Sequence, residues 1–276
     1  MAAYPRLSAH LRSGAPGRGA GGARAGDARA SSTPLVLLHG FTQTGQAWGP
    51  VVDALASLGS PWPIVLPDAP GHGGSAGVEA DLWETADLLA DLVPDAAFWS
   101  GYSMGGRAAL HVALAYPQLV ERLVLISTSA GIEDTAEREA RAAADEALAR
   151  QLEDVGVGPF LEDWLAQPLF ATMTSAQAAL DQRRANTAAG LASSLRRAGA
   201  GAQAPLWDRL AELARRSLPV LVIAGELDAR YRGHAERMVA AIGPTASLVV
   251  IEGAGHACPL ERPAAVASAL ARFLSD

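Results

Sequence analysis

The feature that most constrains this chain is an alternation of short apolar runs, each closed by turn residues, with longer stretches of helical periodicity. The apolar runs lie at 34–38, 63–66, 96–100, 123–127, 218–224 and 247–251, and the spacing predicts helices at 45–58, 82–92, 104–115, 234–242 and 263–274. Strands that take turns with helices and are apolar on both faces require a parallel sheet covered on each side, because every crossover lays a helix against the sheet. The expected fold class is therefore α/β, a mostly parallel, doubly wound sheet. Residues 4–12 are expected to add an antiparallel edge strand.

Between 132 and 217 the texture changes to long Ala, Glu and Arg stretches with no convincing strand, and helices are expected near 136–152, 159–166, 175–189 and 206–216. Four helices exceed what one crossover needs. The segment 132–217 thus reads as a helical cap inserted into a core made of 1–131 and 218–276. Residues 13–32, rich in Gly, Ala and Arg, read as a flexible surface loop or as the product of an early start codon. No repeat at solenoid spacing is found.

Composition narrows the function classes. A chain of 276 residues that is 50% hydrophobic can bury a large core. Its 29 acidic and 22 basic side chains leave a net charge of -7, which argues against sequence-independent nucleic-acid binding, since that needs a basic surface to displace counterions. A single cysteine, Cys258, can make no internal disulfide and fits a reducing cytoplasm. No apolar run approaches the ~20 residues of a membrane span, and 13–32 lacks the apolar centre of a signal peptide, so no membrane insertion is expected. Neither a dinucleotide glycine fingerprint nor a metal cluster is visible, so no cofactor and no metal are expected. Monomer and homo-oligomer both remain open.

The chemistry is carried by Gly101-Tyr102-Ser103-Met104-Gly105, a G-x-S-x-G motif lying between an expected strand and an expected helix. Such a turn is tight enough to demand small residues around the serine, and it presents the hydroxyl at a helix N-terminus. A serine hydroxyl is a weak nucleophile and base at neutral pH, so it needs a histidine to take its proton and a carboxylate to orient that histidine. Asp228 follows the strand at 218–224 and His256 follows the strand at 247–251, each at the carboxyl end where a doubly wound sheet gathers its site. Glu226 is the competing acid. Among the other histidines, His10, His111 and His234 lack the loop position, while His39 and His72 are read as braces for backbone turns. The backbone N–H groups of Met104 and of Phe41, in the loop His39-Gly40-Phe41, are the expected oxyanion donors, with Gly40 shaping the turn.

Taken together, His39-Gly40-Phe41-Thr42, Asp68-Ala69-Pro70-Gly71-His72-Gly73-Gly74-Ser75, Gly101 to Arg107 and Ala254-Gly255-His256 resemble the α/β-hydrolase superfamily. Further segments, namely Ser129 to Asp134 with Glu137-Arg138, Trp164 to Phe170, Arg184-Ala185-Asn186 and Gly225 to Tyr231, are similar to the 2-succinyl-6-hydroxy-2,4-cyclohexadiene-1-carboxylate synthases of menaquinone biosynthesis. That resemblance implies a lyase built from hydrolase parts, in which Ser103, His256 and Asp228 act as a base and pyruvate leaves without an acyl-enzyme. It also implies a small-molecule polycarboxylate substrate and arginines to hold it. Arg107, in the first turn of its helix, is unfavourably placed against the helix dipole unless an anion is near. Arg184 matches the family's cap arginine, although Arg183 beside it registers equally well. Trp164 and Tyr102 match aromatic substrate contacts, or are simply core. Arg138, Arg141 and Arg150 read as solvated helix faces. The chain departs from many relatives at Pro259, where they carry a second histidine. The rival readings are a carboxylesterase or carbon–carbon bond hydrolase using the same residues, and a non-catalytic ligand receptor.

Overall fold

The computed structural model describes residues 6–12 and 33–275, so the expected loop at 13–32 lies outside the described residues. In chain order the elements are β1 (Ala9–Arg12), β2 (Leu35–Leu38), α1 (Gly49–Ser57), β3 (Ile64–Pro67), α2 (Leu82–Leu92), β4 (Ala97–Tyr102), α3 (Met104–Ala115) and β5 (Val120–Ile126). The helices α4 (Thr135–Val155), α5 (Val157–Leu165), α6 (Leu180–Arg183), α7 (Ala188–Ala198) and α8 (Ala211–Arg215) follow. The chain then returns through β6 (Val220–Gly225), α9 (Ala229–Ile242), β7 (Ala246–Ile251), α10 (Cys258–Glu261) and α11 (Pro263–Ser275).

The sheet runs β1-β3-β2-β4-β5-β6-β7, with β1 antiparallel to β3 and every other pair parallel. The period of two along each strand divides its side chains between two cores. Val36, Leu38, Trp99, Leu123, Leu125 and Val222 pack with α2, α3 and α9 on one face. Leu35, Leu37, Phe98, Val124, Ile126 and Ile223 pack with α1 and α11 on the other. Because both faces are buried, the strands read as continuous apolar runs, the signature by which the sequence revealed them.

The helical segment between β5 and β6 builds its own cluster from Ala149, Leu152, Phe160, Trp164, Phe170, Leu191 and Leu195. Its C-terminal part behaves differently. Leu206, Trp207, Leu210 and Leu213 are buried in the same cluster as the β-sheet face, so from 206 onward the chain packs with the core.

The expected helix at 175–189 is corrected by the structure. Ala179 adopts a left-handed φ of 49°, only Leu180–Arg183 coil as α6, and α7 starts afresh at Ala188 with the Thr187 hydroxyl accepting from Gly190 N–H. Alanine-rich sequence supports a helix almost anywhere along 175–198, so the break is set by tertiary partners. One of these is a glycine crossing: a Cβ on Gly71 would stand 2.2 Å from the Gly190 carbonyl oxygen, and one on Gly190 would stand 2.5 Å from that of Gly71. The first turn of α7 thereby rests directly on the loop after β3. Gly190→Val should force these backbones apart and lower stability by roughly 1–3 kcal/mol, the usual cost of overpacking, read as a drop in the urea unfolding midpoint.

Candidate active site

The site begins with a packing constraint at the end of β4. A Cβ on Gly101 would lie 2.1 Å from the Gly105 carbonyl oxygen, and one on Gly105 would lie 2.2 Å from that of Leu38. Only glycine fits at either position, which is why the motif reads as it does. Between them Ser103 takes φ 53° and ψ -111°, a conformation L-residues rarely adopt, and ends the strand with its side chain at the start of α3.

Asp228 and His256 come to this serine from the loops after β6 and β7. His256 Nδ1 lies 2.8 Å from Asp228 Oδ2, and His256 Nε2 lies 3.1 Å from Ser103 Oγ. With Nδ1–H donating to the carboxylate, Nε2 is left as acceptor for the serine hydroxyl, the tautomer that lets the imidazole take a proton. The other Asp228 oxygen accepts from Tyr231 N–H in the first turn of α9, which fixes the carboxylate's orientation. Glu226, the competing acid, instead accepts from Gly253 N–H at 2.9 Å.

The expected oxyanion donors sit on two neighbouring loops, and among the described residues no acceptor is bonded to the N–H of Phe41 or of Met104. Gly40 owes its identity to crowding, since a Cβ there would stand 2.7 Å from the Tyr102 ring. The left-handed residue of this turn is Thr42, with φ 67°. His39 and His72 brace the turn: Nε2 of His39 accepts from Ala69 N–H, Nε2 of His72 accepts from Thr42 N–H, and their Nδ1–H groups donate to Gly40 and Pro70 carbonyls. Burial lowers His39 to about 4 and His72 to about 3, so both are neutral at pH 7.

Ser103 opens into a cavity of about 280 Å³ between the sheet edge and the helical segment. Tyr102, Phe170 and Tyr231 surround the His256 ring, with centroids 5.4, 6.2 and 4.3 Å away. Trp164 lines the cavity from α5, packs edge-on against Phe41, and carries an indole N–H with no acceptor among the described residues. Arg107 lines it from α3, with Nη1 donating to Ala198 O at 2.7 Å and Gly199 O at 3.2 Å. Burial pulls Arg107 down to about 10, and it stays protonated at neutral pH.

The expectation for Arg184 is corrected here. Arg184 is half exposed and lies 3.5 Å from Asp181, whereas Arg183 is buried, lines the cavity and donates to Ala178 O, Phe41 O and Thr42 Oγ1. Successive side chains on a helix stand about 100° apart, so only one of the two arginines at the end of α6 can face the cavity, and the contacts of Arg183 with Phe41 and Thr42 select it. Burial lowers Arg183 to about 10, and like Arg107 it has no carboxylate within ion-pair distance among the described residues. Arg141, read as a solvated helix face, also lines the cavity while its Nε donates to the buried Asp145. Its i,i+4 acid concealed it. Glu261 uses its two oxygens to accept from Gly255 N–H and Ala257 N–H, clamping the backbone on both sides of His256. The motif spacing carries no signal for that role.

Comparison with known proteins gives the following. Residues 35–269 match the Alpha/beta hydrolase family. The chain is 32% identical to a 2-succinyl-6-hydroxy-2,4-cyclohexadiene-1-carboxylate synthase of Klebsiella pneumoniae, over 88% of this chain and 94% of the relative. It is 34% identical to the synthase of the same name from an Enterobacter species, over 87% and 91%. Among solved structures, MenH from S. aureus superposes with a TM-score of 0.83 at 26% identity, covering 97% of both chains. A thermophilic esterase from Thermogutta terrifontis, at 24% identity and a TM-score of 0.75, shares the fold.

The buried neutral histidines carry a pH dependence. The unfolded chain protonates His39 and His72 near 6.5, while the native state resists until about 4 and about 3. Their contribution to stability is therefore intact above pH 6.5 and is lost progressively as pH falls toward those lower values. Each pH unit in that window should cost about 1.4 kcal/mol per histidine, seen as a falling urea midpoint between pH 7 and pH 4.

Proposed function

The chain belongs to the α/β-hydrolase family and to its branch of 2-succinyl-6-hydroxy-2,4-cyclohexadiene-1-carboxylate synthases, and from that premise we infer that it is a lyase of menaquinone biosynthesis. It eliminates pyruvate from 2-succinyl-5-enolpyruvyl-6-hydroxy-3-cyclohexene-1-carboxylate. The observation that carries this reading is the pair of desolvated guanidiniums, Arg107 and Arg183, lining the cavity that holds Ser103 with no carboxylate among the described residues within ion-pair distance. Two unpaired buried cations are costly in an empty site and become favourable when a polyanion occupies it. A pocket for neutral esters has no use for them.

Ser103, His256 and Asp228 act as the base. As Ser103 Oγ takes the proton from the ring carbon beside the ketone, His256 Nε2 takes the serine proton, and Asp228 stabilises the imidazolium that results. Negative charge moves to the ketone oxygen, where the N–H groups of Phe41 and Met104 and the N-terminus of α3 stabilise it. The electrons then return to form the ring double bond as the carbon–oxygen bond to the enolpyruvyl group breaks, and the released enolpyruvate takes a proton on carbon to become pyruvate. No water is consumed. The helical segment ahead of Leu206 serves as a cap over the site, with Trp164 and Arg183 lining the cavity from it and Tyr102 lining it beside the serine. The single free cysteine and the absence, among the described residues, of a helix long and apolar enough to cross a membrane support action in the cytoplasm.

Ser103→Ala should lower pyruvate release by roughly a thousandfold or more, measured by a coupled pyruvate assay on the purified protein. Arg107→Ala should lower kcat/KM by about a hundredfold, chiefly through KM, because a buried charge-assisted contact to substrate is lost. In labelled water the wild-type products should carry no solvent oxygen in a newly formed carboxyl group, and label there would identify a hydrolase instead.

A further inference from the structure

Asn186 is the only asparagine in the chain, and it is buried between α6 and α7 at the underside of the helical segment. Its contacts leave that segment. Oδ1 accepts from Gly73 N–H at 2.8 Å, in the loop after β3, and Nδ2 donates to Thr42 O at 2.8 Å and to Arg183 O at 3.0 Å. One side chain thus ties two core loops to the segment that supplies Arg183.

Thr42 is where this tie matters. A β-branched residue with φ 67° is a backbone outlier, and such a conformation persists only when its surroundings over-determine it. Here Thr42 N–H donates to His72, Thr42 Oγ1 accepts from Arg183, and Thr42 O accepts from Asn186. The preceding peptide is held from the other side, since Gly40 O accepts from His39 Nδ1–H and from Gln43 N–H. Fixing Gly40 O and the Thr42 turn together fixes the direction of the N–H between them, that of Phe41.

We propose that Asn186 is a positioning residue for the oxyanion donor: its carboxamide locks the strained Thr42 turn and so aims Phe41 N–H at the developing enolate. The proposal rests on the reading of Phe41 N–H as that donor. It also makes the helical segment part of the chemistry, because the donor's alignment depends on α6 and α7 being seated. Neither oxygen of an aspartate in this position can donate to Thr42 O, while one can still accept from Gly73 N–H. Asn186→Asp therefore cuts the arm to the turn and keeps the arm to the loop after β3.

In Asn186→Asp, kcat for pyruvate release should fall roughly 10- to 100-fold, in line with misaligning one oxyanion donor, while KM moves less than about twofold. Amide hydrogen exchange at Thr42, whose N–H donates to His72, followed by NMR without substrate, should quicken by about tenfold or more as the turn loosens. If aspartate prevents folding, Asn186→Ser, which loses both arms, carries the same expectations. Wild-type kcat, or a raised KM at unchanged kcat, would overturn the proposal, as would unchanged exchange at Thr42. Should the wild-type protein release no pyruvate, the lyase reading fails by itself, and Thr42 exchange alone then decides whether Asn186 controls the turn.

Discussion

Everything at the site depends on how closely β2, β4 and the start of α3 approach one another. The carbonyls of Leu38 and Gly105 occupy the space where side chains of Gly105 and Gly101 would otherwise stand. That contact forces Ser103 into its left-handed turn and lifts the hydroxyl clear of the strand. Parallel pairing does the rest, because strands that all run the same way end at the same edge. The loops after β2, β6 and β7 therefore deliver Phe41, Asp228 and His256 to the serine from positions up to 215 residues apart in the chain.

Charge is organised against the average of the molecule. The protein is acidic overall, yet the cavity holds Arg107, Arg141 and Arg183, and among the described residues Arg107 and Arg183 have no carboxylate within ion-pair distance. Several other arginines make surface ion pairs, such as Arg196 with Glu146 and Glu153, which fasten α7 to α4. Burial rather than number gives the cavity arginines their strength: a desolvated guanidinium attracts a carboxylate far more strongly than a solvated one does. The hydrogen bonds from Arg107 and Arg183 to backbone carbonyls hold their heads in place before any ligand arrives, so little ordering remains to be done on binding.

Two histidines near the site are bonded to backbone groups on both ring nitrogens. Their burial keeps His39 and His72 neutral, and as neutral rings each serves at once as donor and acceptor, bridging loops whose peptide groups would otherwise lack partners. The same environment that suits them for bracing makes them poor general bases at neutral pH. His256 differs in its partners, with the Asp228 carboxylate against Nδ1 and the Ser103 hydroxyl against Nε2.

The core strands and the helices at 82–92 and 104–115 were legible in the sequence because period and turn chemistry are local properties, and so was the strand–turn–helix setting of Ser103. The chain's acidic charge and single cysteine came from composition, and its α/β class from the alternation of apolar runs with helical periodicity. What only the tertiary structure decided is which of several locally equivalent residues faces the cavity. Arg183 rather than Arg184, the break that replaces a helix at 175–189, the clamp of Glu261 and the reach of Asn186 all depend on contacts between segments remote in sequence. Local periodicity reports how a residue relates to its near neighbours, whereas the direction of a side chain on a four-residue helix is set by the surfaces that close around it.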